Sequence, residues 1–188
     1  TVRPLFATAI PEHEALLAES GGSKYLRKAG WLKIYRKDSS FEALAAEREL
    51  AKEFGIVYDI VDNEQIRALE PSLSPVAKHA VFWPKAVSIN NPLGVTRAYL
   101  ARFESLGGVF LTGDARSLHR NGAQWRVETN EGSLDADQVV VAVGPWAPDL
   151  LEPLGIKLPM AVKRVYHRHF KARGNASVGR PILDADYG

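Results

Sequence analysis

The chain has no cysteine, which excludes a disulfide framework, a thiolate nucleophile and any cysteine-bound metal, and suits a reducing compartment. No apolar run approaches the roughly 20 residues that span a bilayer, and the first residues lack the charged-then-apolar layout of a signal peptide, so the chain reads as soluble. Charge of one sign is also missing: 24 Lys and Arg face 22 Asp and Glu, a formal +2. Such balance gives no reason to expect nucleic acid or an acidic membrane as partner. G-x-G-x-x-G and P-loop motifs are absent, and with them the usual cradles for a pyrophosphate. So are the G-x-S-x-G elbow and H-E-x-x-H, which argues against a serine hydrolase or a zinc protease.

What is present is enough apolar material for a core, 46% of 188 residues, in one large domain or two small ones. "PEHEALLAESGG", from Pro11, predicts a short helix opened by proline and closed by glycines. Trp31–Arg36 alternates as a strand. Ser39 and Glu42 have capping-box spacing before a helix that reaches Gly55, and Asp62 with Gln65 repeats the pattern before a shorter one ending near Pro71. "IVYDIV" and "HAVFW" (His79 to Trp83) predict further strands. Pro92 opens the clearest helix, with Leu93, Thr96, Tyr99, Leu100, Phe103 and Leu106 at helical spacing.

After Gly107 and Gly108 the pattern predicts a strand "VFLTG" and then a hairpin turning at Asn130 to Ser133. The run Val139 to Val143, β-branched and without polar alternation, predicts a strand buried on both faces, as in a parallel sheet. Gly144 ends it where open α/β sheets bind ligands. A short helix at Ala147 to Leu154 and a long strand from Ala161 to Lys171 follow. The two interleaved textures imply layers or domains that the chain enters and leaves more than once.

Few side chains form a chemical constellation. His167 and His169 would share one strand face and could share a metal, but no spacing suggests a third ligand, so no metal site is assigned. Lys163, Arg164, Arg168, Lys171 and Arg173 make a basic stretch that reads as a solvated face, with an anionic substrate, a flavin phosphate or nucleic acid as functional alternatives, the last disfavoured by the near-balanced charge. Trp83 and Trp125 read as packing residues, whereas Trp146, directly after the Gly-Pro turn, is a candidate wall for a cofactor pocket. Asp114 reads as a turn carboxylate that could also accept from a ribose hydroxyl.

The segments "KYLRKAGWLKIYR", "LEPSLSP", "GGVFLTGDARSL", "QVVVAVGPWAPDLLEPLGIKLPMAVKRVYHRHF" and "RPILDAD" resemble, in order, the interior of FAD-dependent D-amino acid dehydrogenases. These belong to the superfamily of D-amino acid oxidase, glycine oxidase and sarcosine oxidase. Val165 departs from the family's "KRGYH" pattern, where glycine is expected. The resemblance implies a mixed α/β fold, with part of a doubly wound FAD-binding domain beside an antiparallel-sheet substrate domain with helices. Residues 1–90 would be substrate domain, 91–155 FAD domain and 156–188 the return to the substrate-domain sheet.

By the same similarity FAD is the cofactor. The backbone of Ala115 lies beside the adenine, and Gly144 and Trp146 lie along the flavin cleft. The reaction implied is oxidative deamination of D-amino acids to 2-oxo acids and ammonia, with a small amino acid substrate and an electron acceptor other than oxygen as partners. The setting implied is the cytoplasm, or peripheral attachment at the inner membrane. No catalytic residue is assigned within the chain, because the G-x-G-x-x-G and the substrate-carboxylate arginine are expected beyond Thr1 and Gly188, making it an interior fragment that is inactive and flavin-free by itself. The rival readings are a non-enzymatic binding module using the basic 163–173 stretch, and another branch of the superfamily, such as glycine or sarcosine oxidase or a relative of glycerol-phosphate dehydrogenase.

Overall fold

The computed structural model describes residues 3–187; Thr1 and Gly188, on which the reading of an interior fragment turns, lie outside the described residues. The fold is mixed α/β. Two compact units are present, one running to Leu106 and resuming at Lys171, the other spanning Gly107–Phe170.

The first unit is built on a four-stranded sheet in the order β3-β4-β2-β9, where β2 is Trp31–Tyr35, β3 is Asp59–Val61, β4 is His79–Trp83 and β9 is Ile182–Asp184. The first three are antiparallel to their neighbours, whereas β9 runs parallel to β2. Strand alternation sorts the core into two halves. Leu32, Ile34 and Ala80 face Val61, Ala77 and Ile66 of α4 (Asn63–Leu69). Tyr35, Val81 and Trp83 face Ala51 of α3 (Ala45–Glu53). Leu32 and Ile34, at 0% and 2% exposed, each contribute about 1.5–3 kcal/mol through burial. Lys33, on the α3 side of β2, is buried too, and its ammonium donates to Glu47 at 2.5 Å. Gly30 enters β2 at φ +73°, and a Cβ there would meet Phe82 at 2.5 Å, so only glycine fits.

The cap at Asp62 forms as expected: its carboxylate accepts from the Glu64 and Gln65 amides while the Gln65 side chain accepts from the Asp62 amide, all at 2.9 Å. The Ser39 cap does not form. Helix α2 (Asp38–Ala43) starts two residues earlier, after Lys37 and without a side-chain cap, and the expected long helix breaks at Leu44 before α3. Long-range partners override the local signal here. Asp38 is held by Lys78 and His79, and Ser40 donates to Asp186 at 2.5 Å, so the first turn of α2 answers to strand ends rather than to its own sequence.

Pro11 does not open a helix but lies inside α1 (Arg3–Glu19), which forgoes one backbone hydrogen bond there. The helix at Pro92 appears as α5 (Pro92–Ser105), with the Asn91 side chain accepting from Gly94 N at 2.9 Å. Its apolar stripe is not a core face, since Leu93, Phe103 and Leu106 are 58%, 51% and 69% exposed. Within this unit α5 packs on α1 and the turn Ser23–Tyr25, where Tyr99 meets His13 Nδ1 at 2.9 Å. Two short strands not foreseen, β1 (Leu26–Arg27) and β5 (Ser88–Ile89), pair with each other.

A dense polar tie closes the unit. Glu70, 2% exposed, accepts from Arg180 Nε at 2.8 Å and from Gly179 N at 3.0 Å. The Arg180 guanidinium also donates to the carbonyls of Ala29 (2.9 Å) and Leu69 (3.2 Å). Loop, helix end and β9 are thereby joined by a pair whose partners leave few donors or acceptors unused.

The second unit holds a three-stranded antiparallel meander, β6 (His119–Asn121), β7 (Gln124–Thr129) and β8 (Gly132–Ala136). Trp125 packs under the Arg120 guanidinium at 3.9 Å, and Arg126 pairs with Asp135 directly opposite. Three expected strands are not strands. Residues 109–113 make only the isolated bridge Gly113↔Thr129, and residues 139–143 and 161–171 pair with nothing among the described residues. An apolar run becomes a strand only when a ladder and covering layers exist for it, and Val140, Tyr166 and Phe170 stand 89%, 82% and 85% exposed. No helix among the described residues is long and apolar enough to cross a membrane.

Two stability effects follow. Glu70→Ala leaves the Arg180 charge buried without its partner and should cost about 3–5 kcal/mol in urea unfolding, while Glu70→Leu with Arg180→Met should recover most of that loss; a single mutant at wild-type stability contradicts the role given to the pair. Hydrogen bonds from Lys78 and His79 lower the Asp38 carboxyl to about 2, and those from Ser40 and the Arg36 amide lower that of Asp186. Because both are depressed in the folded state, their contribution is complete above the ordinary carboxyl range, about pH 4, and drains away as pH falls toward about 2. The melting temperature should therefore drop across that window, and less steeply in Asp38→Asn with Asp186→Asn.

Candidate functional site

In the second unit two short turns face a common cavity of about 460 Å³, within the usual range for small-molecule sites, about 300–1,000 Å³. The first is the 3₁₀ turn Ala115–Ser117. Asp114 caps it by accepting from Arg116 N at 3.0 Å, and the Ser117 hydroxyl donates to the Asp114 carbonyl at 2.6 Å. The same hydroxyl accepts from Glu128 N on β7 at 2.9 Å, which pins the turn to the meander. Just before it, Asn130 stands in for a missing strand neighbour: its amide donates to Thr112 O at 2.8 Å and its side chain accepts from Thr112 N at 3.0 Å.

The second turn is Gly144–Trp146, leading into α6 (Ala147–Leu151). Ala147 and Leu150 are buried and anchor the helix, which leaves Trp146 68% exposed. Gly144 has φ +59°, and a Cβ there would meet nothing within 4 Å. Its lack of a side chain is thus demanded by a left-handed backbone, strained by about 1–2 kcal/mol for other residues, and not by crowding from this protein's own atoms.

Of the three residues singled out for the cofactor, Ala115 and Trp146 line the cavity together; Gly144 adjoins it through its neighbour Val143, which lines it. The remaining wall is Asp114, Arg116, Asp149 and Leu150. Arg116 and Asp149 escaped the sequence reading. The spacing Asp114-x-Arg116 was the available signal for the first, since two residues either side of a tight turn can close an ion pair.

That pair is bidentate. Arg116 Nε donates to Asp114 Oδ1 at 2.9 Å and Nη2 to Oδ2 at 2.8 Å. Hydrogen bonding from Arg116 holds the Asp114 carboxyl below the ordinary carboxylate range, and the guanidinium is raised in turn. Asp149, by contrast, has no hydrogen-bond or ion-pair partner among the described residues. An exposed indole, a planar guanidinium and a free carboxylate suit the nucleoside part of a dinucleotide, whereas the chain carries no G-x-G-x-x-G for its pyrophosphate.

The other candidates lie elsewhere. Trp83 is in the sheet core of the first unit, its ring 6.1 Å from Trp31 and 5.2 Å from Tyr58. His167 and His169 sit 5.5 Å apart, nearly perpendicular, in an exposed segment without regular structure. Among the described residues no group of three or more His, Cys, Asp or Glu is arranged to hold a metal. The basic residues from Lys163 to Arg173 are exposed. A larger groove of about 800 Å³ runs along β3 in the first unit, lined by aliphatic residues such as Ile56, Val57 and Ile60 together with Lys52, Tyr58, Asp59 and Gln65.

Comparison with known proteins adds a family to this geometry. The family model of the FAD-dependent oxidoreductases called DAO matches residues 2–187. A D-amino acid dehydrogenase of Rhizobium johnstonii is 33% identical over 175 residues, covering 90% of this chain and 39% of the relative. One from Rhodopseudomonas palustris is 30% identical with the same coverage. The chain thus spans about two fifths of the length of the curated relatives it matches. Among solved structures, glycine oxidase from Geobacillus kaustophilus superposes with a TM-score of 0.68 at 19% identity, over 81% of this chain and 41% of that one. L-Proline dehydrogenase from P. horikoshii gives 0.61 at 19% identity, over 78% and 40%. These last two are likenesses of fold. With the family model matching nearly every residue, the chain belongs to the DAO family of FAD-dependent oxidoreductases.

Proposed function

We propose that this chain is part of an FAD-dependent D-amino acid dehydrogenase and that its 460 Å³ cavity meets the cofactor through the Ala115 backbone and the Trp146 side chain. The observation that carries the reading is the meeting of those two residues, 31 positions apart, in one cavity of a chain whose relatives at 30–33% identity bear that name. Bound FAD supplies a two-electron acceptor for the α-hydrogen of the amino acid, after which the imine hydrolyses to a 2-oxo acid and ammonia. The chain's own part is to hold and orient. Ser117 and Asp114 fix the turn that presents the Ala115 backbone, and the buried Ala147 and Leu150 fix the helix that presents the Trp146 ring.

Gly144 allows the chain to turn between the 139–143 segment and α6 without strain. Small molecules, an amino acid and an electron acceptor, are the partners in this reading. The setting it favours is the cytoplasm or the periphery of the inner membrane.

The test is made on the protein that carries this chain. It should purify with visible flavin absorbance and reduce an artificial dye with D-alanine as donor. Trp146→Ala should weaken FAD binding about tenfold, the scale of one ring-on-ring stack, measured as flavin lost on dialysis. Turnover of sarcosine but not D-alanine would move the assignment to another branch of the family, and a colourless protein at every stage would end it. The 188-residue chain by itself should show no stoichiometric flavin, since it carries no pyrophosphate cradle.

A further inference from the structure

The hairpin that joins β6 to β7 carries a pair of residues that the cofactor reading leaves unused. Asn121 is followed by Gly122, and no other asparagine of the chain precedes a glycine. Asn121 pairs with Gln124, so Gly122 and Ala123 form a two-residue turn. Gly122 has φ +61°, and no residue other than glycine takes a positive φ among the described residues. The turn is therefore of type II′, with glycine required at its first position.

An asparagine side chain holds an amide carbon that the backbone nitrogen of the next residue can attack, provided that nitrogen is not tied up and no side chain crowds it. Both conditions hold here. Gly122 has no Cβ, and its N–H meets no acceptor among the described residues. The Asn121 carboxamide is exposed and held by one long bond, from Nδ2 to Asp135 Oδ1 at 3.4 Å. The other asparagines differ. The amide after Asn63 donates to Asp62 Oδ1 at 2.9 Å, that after Asn130 to Thr129 Oγ1 at 3.2 Å and that after Asn175 to the Arg173 carbonyl at 3.3 Å. Asn91 precedes Pro92, which has no N–H to lose, and Asn90 precedes a residue with a side chain.

We propose that Asn121–Gly122 is a self-modification site at which this hairpin is converted from amide to acid in the folded protein. The Gly122 nitrogen bonds to Asn121 Cγ, the Cγ–Nδ2 bond breaks, and Nδ2 leaves as ammonia with the proton that Gly122 gives up. Water then opens the cyclic imide at one of its two carbonyls. One opening yields aspartate at position 121, the other an isoaspartyl link that routes the backbone through Cβ. Nothing is oxidised or reduced, and water is the only co-reactant.

Either product changes the same contacts. Asn121 shares one face of the meander with Gln124, Arg126, Glu128 and Asp135, and both Asp135 oxygens already accept from Arg126, at 2.8 and 2.6 Å. A carboxylate in place of the Asn121 amide removes a donor to Asp135 and sets a like charge beside it. The isoaspartyl link also lengthens the backbone by one carbon, which the Asn121↔Gln124 register cannot absorb. Glu128, on the same β7, donates its amide to Ser117 at 2.9 Å, so loosening of the hairpin reaches the turn that carries Ala115.

The experiment incubates the folded protein that carries this chain in mildly alkaline buffer and follows its peptides by mass spectrometry, with enzymatic methylation of isoaspartate as a second readout. The peptide holding Asn121 should gain the mass of amide-to-acid conversion ahead of those holding Asn63, Asn90, Asn130 and Asn175, with isoaspartate among its products. Asn121→Gln, whose longer side chain would have to close a larger ring, should lose the conversion while keeping its circular dichroism; if that variant is not folded, Asn121→Ser takes its place. Aged protein should lose hydrogen-exchange protection over residues 119–129 relative to the equally aged variant. Conversion that requires urea, or that comes no sooner at Asn121 than at the other asparagines, overturns the site. Conversion with protection unchanged overturns the effect assigned to it on the hairpin.

Discussion

The buried pair of Glu70 and Arg180 is the constraint on which the first unit depends. Its partners lie far apart in sequence, one at the end of α4 and the other just before β9. Through them the returning chain is fastened to the 29–30 loop and to the last turn of α4 in one cluster. A charge pair taken out of water is favourable only if its remaining donors and acceptors are satisfied. Here the Ala29 and Leu69 carbonyls and the Gly179 amide do that. With Arg180 so placed, the Pro181 carbonyl accepts from Leu32 N at 3.1 Å and β9 continues in parallel register beside β2. A chain that leaves this unit at Leu106 and returns at Lys171 needs such a fastening, because closing a long loop costs entropy that three residues of strand do not recover alone.

The candidate site is organised on the opposite plan. Nearly every bond that shapes it spans only a few residues: the Asp114 cap, the Asp114–Arg116 pair, the Ser117 hydroxyl on its own turn. The bond from Glu128 N to Ser117, with the Thr112–Asn130 bonds and the Gly113–Thr129 bridge just before the turn, ties it to the meander. Local turns of this kind place side chains at a surface without burying them, which is how binding residues come to be solvent-facing on a fixed scaffold. It also explains why Trp146 stays exposed while Ala147 and Leu150, next to it on the chain, do not.

Much of the fold is legible in the sequence wherever the deciding interaction is local. The Asp62/Gln65 box, Pro92 after an Asn cap and the alternation of β2 and β4 each carry their own instructions. Ser39 shows the limit: its box has the right spacing, yet α2 starts at Asp38 because Lys78, His79 and Asp186 hold the residues around it. The three apolar or alternating runs at 109–113, 139–143 and 161–171 show another. Their composition suits strands, but a strand is a relation between segments, and no partner is found for 139–143 or 161–171 among the described residues. In the site, Ala115, Gly144 and Trp146 could be singled out by likeness to a family; the Asp114-x-Arg116 spacing hints at an ion pair on one turn, but nothing in the sequence tells that Arg116 or Asp149 shares a cavity with Trp146.

By itself, the sequence determined the mixed α/β class, the helix caps that are closed by neighbours three residues away, the absence of any cysteine chemistry, and membership of a flavoprotein family through its ordered segments. Only the tertiary structure decided that Gly144 is required by its backbone angle, that Asp114 is engaged by Arg116 rather than free, and that α5 leaves much of its apolar stripe in solvent. The division has one physical origin. Periodicity and capping are written within a few residues, while a cavity, a buried ion pair or a ladder exists only when distant segments meet.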